Sequence, residues 1–89
     1  MVQVTWAPEA LEQLRDIQAF IKASDMQAAR RIAQRLWDAG ESLSTFPNRG
    51  RPIAGGRREL PNVAPYVIQY RATETSVLIL RIKHGRQRR

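Results

Sequence analysis

Residues 77–84 read Val77-Leu78-Ile79-Leu80-Arg81-Ile82-Lys83-His84. The near-continuous apolar character of Val77–Lys83 is the pattern of a central strand buried on both faces. Arg81 interrupts it. A permanent cation in a central strand needs either a partner or an open concave face, so this position marks a functional or partner-binding face. The competing reading is a surface arginine whose aliphatic stem lies along the sheet.

Working back from this strand, Thr73–Ser76 is a polar turn. Tyr66–Arg71 alternates cleanly, with Tyr66, Ile68 and Tyr70 on one face and Val67, Gln69 and Arg71 on the other. Arg58–Pro61 reads as a short strand, Pro61 placing its end near an edge. The segment 48–56 carries Gly50, Gly55, Gly56 and Pro52 and reads as loop. At the other end, Gln3–Trp6 is a short strand and Pro8 opens a helix that runs to about residue 22, carrying Leu11, Leu14, Ile17, Phe20 and Ile21 at helical spacing. Ala23-Ser24-Asp25 breaks the pattern, and Ser24 or Asp25 caps a second helix. Its stripe of Met26, Ala29, Ile32, Ala33, Leu36, Trp37 and Leu43 predicts a core face, and Pro47 stops it. The order β-α-α-β-β-β predicts one small α+β domain over residues 1–89, a helical hairpin packed on an antiparallel sheet.

The 89 residues leave no room for two cores, and an apolar share of 43% argues against disorder. With no cysteine, disulfides, thiolate catalysis and Cys-ligated zinc are excluded. No apolar run approaches the roughly 18 residues a membrane helix needs, and no secretory leader is visible, so a cytoplasmic location is expected. Fifteen Lys plus Arg against eight Asp plus Glu give a net charge of +7. The excess is almost entirely arginine, the planar cation that pairs with phosphate and carboxylate, and it points to an acidic partner.

Most catalytic chemistries find no support. Gly50 and Gly55 have the spacing of a phosphate loop, but Gly56-Arg57 stands where Lys-Ser/Thr is required, and no strand precedes. His84 is the single histidine, no three ligands cluster, and neither metal nor cofactor is implied. Glu59 and Glu74 are the acids of the sheet half, each more readily an arginine partner or a turn residue than half of a catalytic pair. What remains is cationic: Arg49, Arg51, Arg57, Arg58, Arg71, Arg81, Lys83, Arg86, Arg88 and Arg89, with Tyr66, Tyr70 and His84 among them.

Four motifs in order then carry a resemblance: Gly50-Arg51-Pro52, Arg58-Glu59-Leu60, Pro65-Tyr66-Val67-Ile68-Gln69-Tyr70-Arg71, and residues 77–85 from Val77 to Gly85, followed by Gln87-Arg88. Taken together they resemble the RelE/ParE superfamily of type II toxin–antitoxin toxins, on the side of the ParE, or plasmid-stabilisation, branch. The resemblance implies a bacterial toxin held in a hetero-oligomer by a cognate acidic antitoxin. It also implies one of two targets on one scaffold. ParE-like members inhibit DNA gyrase as poisons and are not enzymes; RelE-like members cleave messenger RNA on the ribosome.

An RNA-cleaving site needs a base, an acid and cations on the phosphorane. Arg58, Arg81, Lys83 and His84 form the candidate set for it. Yet RelE-like nucleases resemble one another in an arginine early in the strand that here begins Pro65-Tyr66, and in a C-terminal tyrosine or histidine. Here that strand holds no arginine before Arg71, and no tyrosine follows Tyr70. The gyrase reading is therefore preferred, with Arg58, Arg71, Arg81, His84, Arg86 and Arg88 as candidates for binding target or antitoxin. A plain basic nucleic-acid-binding module is the third reading, carried by net charge alone and without a helix-turn-helix or RNA-recognition signature.

Overall fold

The structure, a computed structural model, describes residues 1–85. Strand β1 (Gln3–Trp6) runs into helix α1 (Pro8–Lys22), whose Pro8 sits at the N-terminal turn where a missing N–H costs nothing. Glu9 in the first turn and Lys22 in the last complement the helix dipole. Asp25 caps helix α2 (Met26–Glu41), its Oδ1 accepting the Ala28 N–H at 3.0 Å. The short link between the helices folds them into a hairpin, with α1 packed on α2 and on the last strand of the sheet, and α2 on the sheet beside it. Strands β2 (Arg51–Ile53), β3 (Arg57–Val63), β4 (Tyr66–Ala72) and β5 (Ser76–His84) follow.

The sheet order is β1-β5-β4-β3-β2. Strands β2 to β5 are antiparallel neighbours, as the α+β reading requires, while β1 joins β5 in parallel. The parallel pairing is possible because both helices and three strands lie between β1 and β5 in the chain, so no tight turn fixes their relative direction. Val2 N–H to Ser44 O and Gln3 N–H to Thr75 O seat β1 at its start. The loop expected over 48–56 holds the three-residue β2, paired with Arg57–Glu59. Pro61 lies in the part of β3 beyond that pairing, on an open edge where its lack of an N–H is harmless.

The helices cover one face of the sheet. Val77, Ile79, Ile82, Ile68, Tyr70 and Leu60 point into the core with Ala10, Leu36, Ala39 and Leu43 from the helical side. The other face is uncovered, so β5 is buried on one side and not on both as its apolar run suggested; Leu78 is 39% exposed. Trp6 closes the core at the β1 end, its Nε1 donating to Glu41 Oε2 at 2.8 Å. Trp37, expected inside, stacks on Trp6 with centroids 4.8 Å apart and remains 40% exposed. Gly40 lets Trp6 and the sheet lie close against α2, because a Cβ there would lie 2.4 Å from the Trp6 ring and 2.8 Å from Ile79.

A β-bulge divides β5. Tyr70 pairs with Ile79 and Gln69 with Arg81, which leaves Leu80 as an extra residue. Strict alternation from Val77 would send Arg81 and Lys83 into the core. The extra residue reverses the phase, so Ile82 turns inward opposite Ile68 while Arg81 and Lys83 turn to the open face.

A second device ties the loop before β2 to the sheet. The fully buried Tyr70 hydroxyl donates to Pro47 O and accepts the Gly50 N–H, both at 2.8 Å. Arg58 Nη1 donates to Gly50 O at 2.7 Å and Asn48 O at 3.3 Å. Any Cβ on Gly50 would come within 2.8 Å of that hydroxyl. Tyr70→Phe leaves a part-buried carbonyl and a buried amide without this partner. It is expected to lower unfolding stability by about 1–3 kcal/mol in urea denaturation, with an unchanged midpoint contradicting the role of the hydroxyl.

Candidate functional site

The open face of the sheet forms a hollow of about 650 Å³ lined by residues from β2 to β5. Its centre is a row set by strand register: Arg51 opposite Glu59, Glu59 opposite Gln69, Gln69 opposite Arg81. Direct bonds follow the row. Arg51 Nη2 donates to Glu59 Oε1 at 2.9 Å, and Gln69 Nε2 donates to Glu59 Oε2 at 3.0 Å. Arg57 Nη1 reaches Gln69 Oε1 at 3.5 Å, the long end of hydrogen bonding. Lys83, opposite Val67, lines the hollow one step further along β5.

Arg81 occupies the end of this row, where β1 has already turned away into α1: Ala7 N–H bonds Ile79 O, and the strand beyond lies at a free edge. Its Nε is buried and makes no hydrogen bond; the nearest carboxylate, Glu9 Oε2, is 3.8 Å away and itself largely exposed. The edge beside it is closed by a side chain rather than a strand, Gln13 Oε1 accepting the Ile82 N–H at 2.6 Å.

Glu59 is the one acid among the described lining residues of the hollow, with a side chain 16% exposed. Hydrogen bonds from Gln69 and Arg51 hold its carboxyl below the ordinary value, the charges of Arg51 and Lys83 add to this, and burial opposes it. It is therefore an ionised carboxylate in the middle of a cationic face.

The candidate residues separate. Arg81 and Lys83 share the hollow, and His84 borders it at the end of β5. The His84 ring also stands edge-on to Tyr66, centroids 5.9 Å apart, in a groove with Ile17, Phe20 and Ile82 along α1. Arg58 faces the helical side and is held by the 48–50 backbone. Arg71 is exposed and donates to Gly55 O at 2.8 Å, fastening the turn before β3. Arg86 and Arg88 lie outside the described residues. Glu59 and Gln69, central to the hollow, were not among the candidates. Their signal was Gln69 as a polar residue between Ile68 and Tyr70, but its pairing with Glu59 depends on register. No cluster of three His, Cys, Asp or Glu occurs among the described residues, and none of their helices is long and apolar enough to cross a membrane.

Comparison with known proteins places this geometry. The family model described as the ParE toxin of the type II toxin–antitoxin system parDE matches residues 4–89. Two Caulobacter vibrioides proteins are similar: toxin RelE2, 43% identical over 85 residues (96% of this chain, 97% of that protein), and toxin RelE1, 38% identical over 68 residues (73% of each). A chain of the chromosomal ParDE system from P. aeruginosa superposes with a TM-score of 0.83 at 22% identity, covering 94% of this chain and 96% of the other. One from the RelBE2 toxin–antitoxin complex of Mycobacterium tuberculosis gives 0.72 at 22% identity, over 93% and 96%. These two likenesses show the fold.

The lowered pKa of Glu59 has a stability consequence. Its contribution is fully present above the ordinary value of 4.5 and is lost as pH falls through the lower value of the folded chain. In urea unfolding from about pH 6 to pH 3, Glu59→Gln is expected to lose less stability than the wild type over the acid limb, and parallel curves would contradict this.

Proposed function

The chain belongs to the ParE toxin family of type II toxin–antitoxin systems, and from that membership we propose that it stops growth by binding DNA gyrase and is neutralised by an acidic antitoxin. Supporting this choice is the position of Arg58. Of the four residues an RNA-cleaving site would draw on, it is turned to the opposite face and committed to backbone carbonyls. What remains in the hollow is a cationic surface with an ionised carboxylate at its centre, suited to a protein partner that presents both donors and acceptors.

The antitoxin half rests on surface that the chain leaves uncovered. Along α1, Leu11, Leu14 and Ile17 are half-buried and Phe20 is 78% exposed. Of these, Ile17 and Phe20 border, with Tyr66 and Ile82, a groove beside the β5 edge whose lining also includes Gln13, Asp16 and His84. A partner helix or strand laid there would bury this stripe. The net charge of +7 selects an acidic one. The P. aeruginosa and M. tuberculosis structures that share the fold are themselves toxin–antitoxin systems. Binding of this kind also adds stability to a small domain.

A second reading, a ribosome-dependent endoribonuclease, draws on Arg81, Lys83 and His84 lining one hollow and on relatives named RelE. One set of assays separates the two. Purified toxin is expected to inhibit gyrase supercoiling and accumulate gyrase-linked DNA breaks, with transcripts on translating ribosomes left intact. Undiminished supercoiling at saturating toxin would sink the gyrase reading. Codon-phased mRNA cuts that vanish in Arg81→Ala would establish the nuclease instead.

A further inference from the structure

We propose that Glu59 is a specificity-determining residue, whose carboxylate denies the cationic hollow to nucleic-acid phosphates and reserves it for a protein partner. The inference rests on the reading above that the target is a protein. It begins from an oddity of composition. Arg51, Arg57, Arg81 and Lys83 line one hollow, a set that by charge alone would track a phosphodiester backbone. The register places Glu59 in their midst, two strands from Arg81 and one from Arg51.

Neighbouring strands lie about 4.8 Å apart, so a phosphate bridging Arg57, Arg81 and Lys83 would sit within roughly 5–8 Å of the carboxylate. That is inside the Debye length of about 8 Å at physiological salt, so screening does not remove the repulsion. Nor does the carboxylate readily swing aside, being held at both oxygens by Arg51 and Gln69. A protein partner meets the same group differently. Each oxygen accepts one side-chain hydrogen bond from the chain and retains a further lone pair for a backbone N–H or hydroxyl donor. The single anion therefore rejects one class of ligand and rewards the other.

The test uses the full chain and a fluorescein-labelled oligothymidylate of about ten nucleotides, which lacks the 2′-hydroxyl and cannot be cleaved by a ribonuclease. Glu59→Gln, which keeps hydrogen-bonding capacity in the row, is expected to tighten binding about ten-fold over wild type at moderate salt. The slope of log affinity against log salt should steepen by about 0.7, one further phosphate contact. Glu59→Ala should do the same, so the result does not depend on one variant folding. Adding Arg81→Ala and Lys83→Ala to Glu59→Gln should abolish the gain. Affinities of both Glu59 variants within about two-fold of wild type would overturn the proposal, since removal of a unit repulsion at this range must show. A gain that survives loss of Arg81 and Lys83 would overturn it too, by placing the binding elsewhere. The readout is independent of gyrase: a filter confirmed with gyrase unaffected would leave Glu59's role intact and retire that target.

Discussion

A single extra residue in the last strand organises this molecule. Side chains of a strand alternate with a period of two, so β5 without its bulge would present Val77, Ile79, Arg81 and Lys83 to the same layer. Two cations would enter a core of Leu36, Leu43, Ile68 and Tyr70, at a cost of several kcal/mol each after relaxation. With Leu80 set aside, the first half of the strand gives the core Val77 and Ile79, and the second half gives it Ile82. The same shift delivers Arg81 and Lys83 to the hollow. Core and binding face are thus two outcomes of one local irregularity.

The residues that make the family recognisable divide in the same way. Gly50, Arg58 and Tyr70 form a structural knot, in which hydroxyl and guanidinium satisfy loop backbone groups that would otherwise be buried without partners. Arg51, Glu59, Gln69 and Arg81 form a row on the open face across four strands. In Arg58-Glu59-Leu60 the alternation is plain: the arginine clamps the loop, the glutamate faces the hollow, the leucine enters the core. Much of the family signature therefore reports how the sheet is held together, which is why it identifies the scaffold more sharply than the target.

Locally determined features were legible in the sequence. Asp25 as a cap, Pro8 at a helix start, and the inward Tyr66, Ile68 and Tyr70 follow from rules that act within a few residues. The family and the α+β layout were legible too, because the motifs recur in order. The missed features depend on which residues face each other across strands. The Leu80 bulge, the Glu59–Gln69 bond and the side taken by Arg58 are consequences of register, which no local pattern encodes. Phe20 and Trp37 fit a core stripe by spacing but lie at its margin, since each helix has more apolar surface than this chain covers. For α1 that surplus is the groove assigned above to the antitoxin.

The division of β5 by its bulge is tested most directly by deleting Leu80 and following urea unfolding of the purified chain through the fluorescence of Trp6 and Trp37. Without Leu80, strict alternation carries Val77, Ile79 and Ile82 inward and Arg81 and Lys83 outward, the same facing that the bulge produces. The Leu80 deletion should therefore keep a single cooperative transition, whereas deleting Ile82 instead turns Arg81 or Lys83 inward at a cost of several kcal/mol and should abolish it. A Leu80 deletion that abolishes the cooperative transition, or an Ile82 deletion that unfolds at the wild-type midpoint, would contradict the claim that Leu80 is the extra residue that sets the phase between the core and the open face.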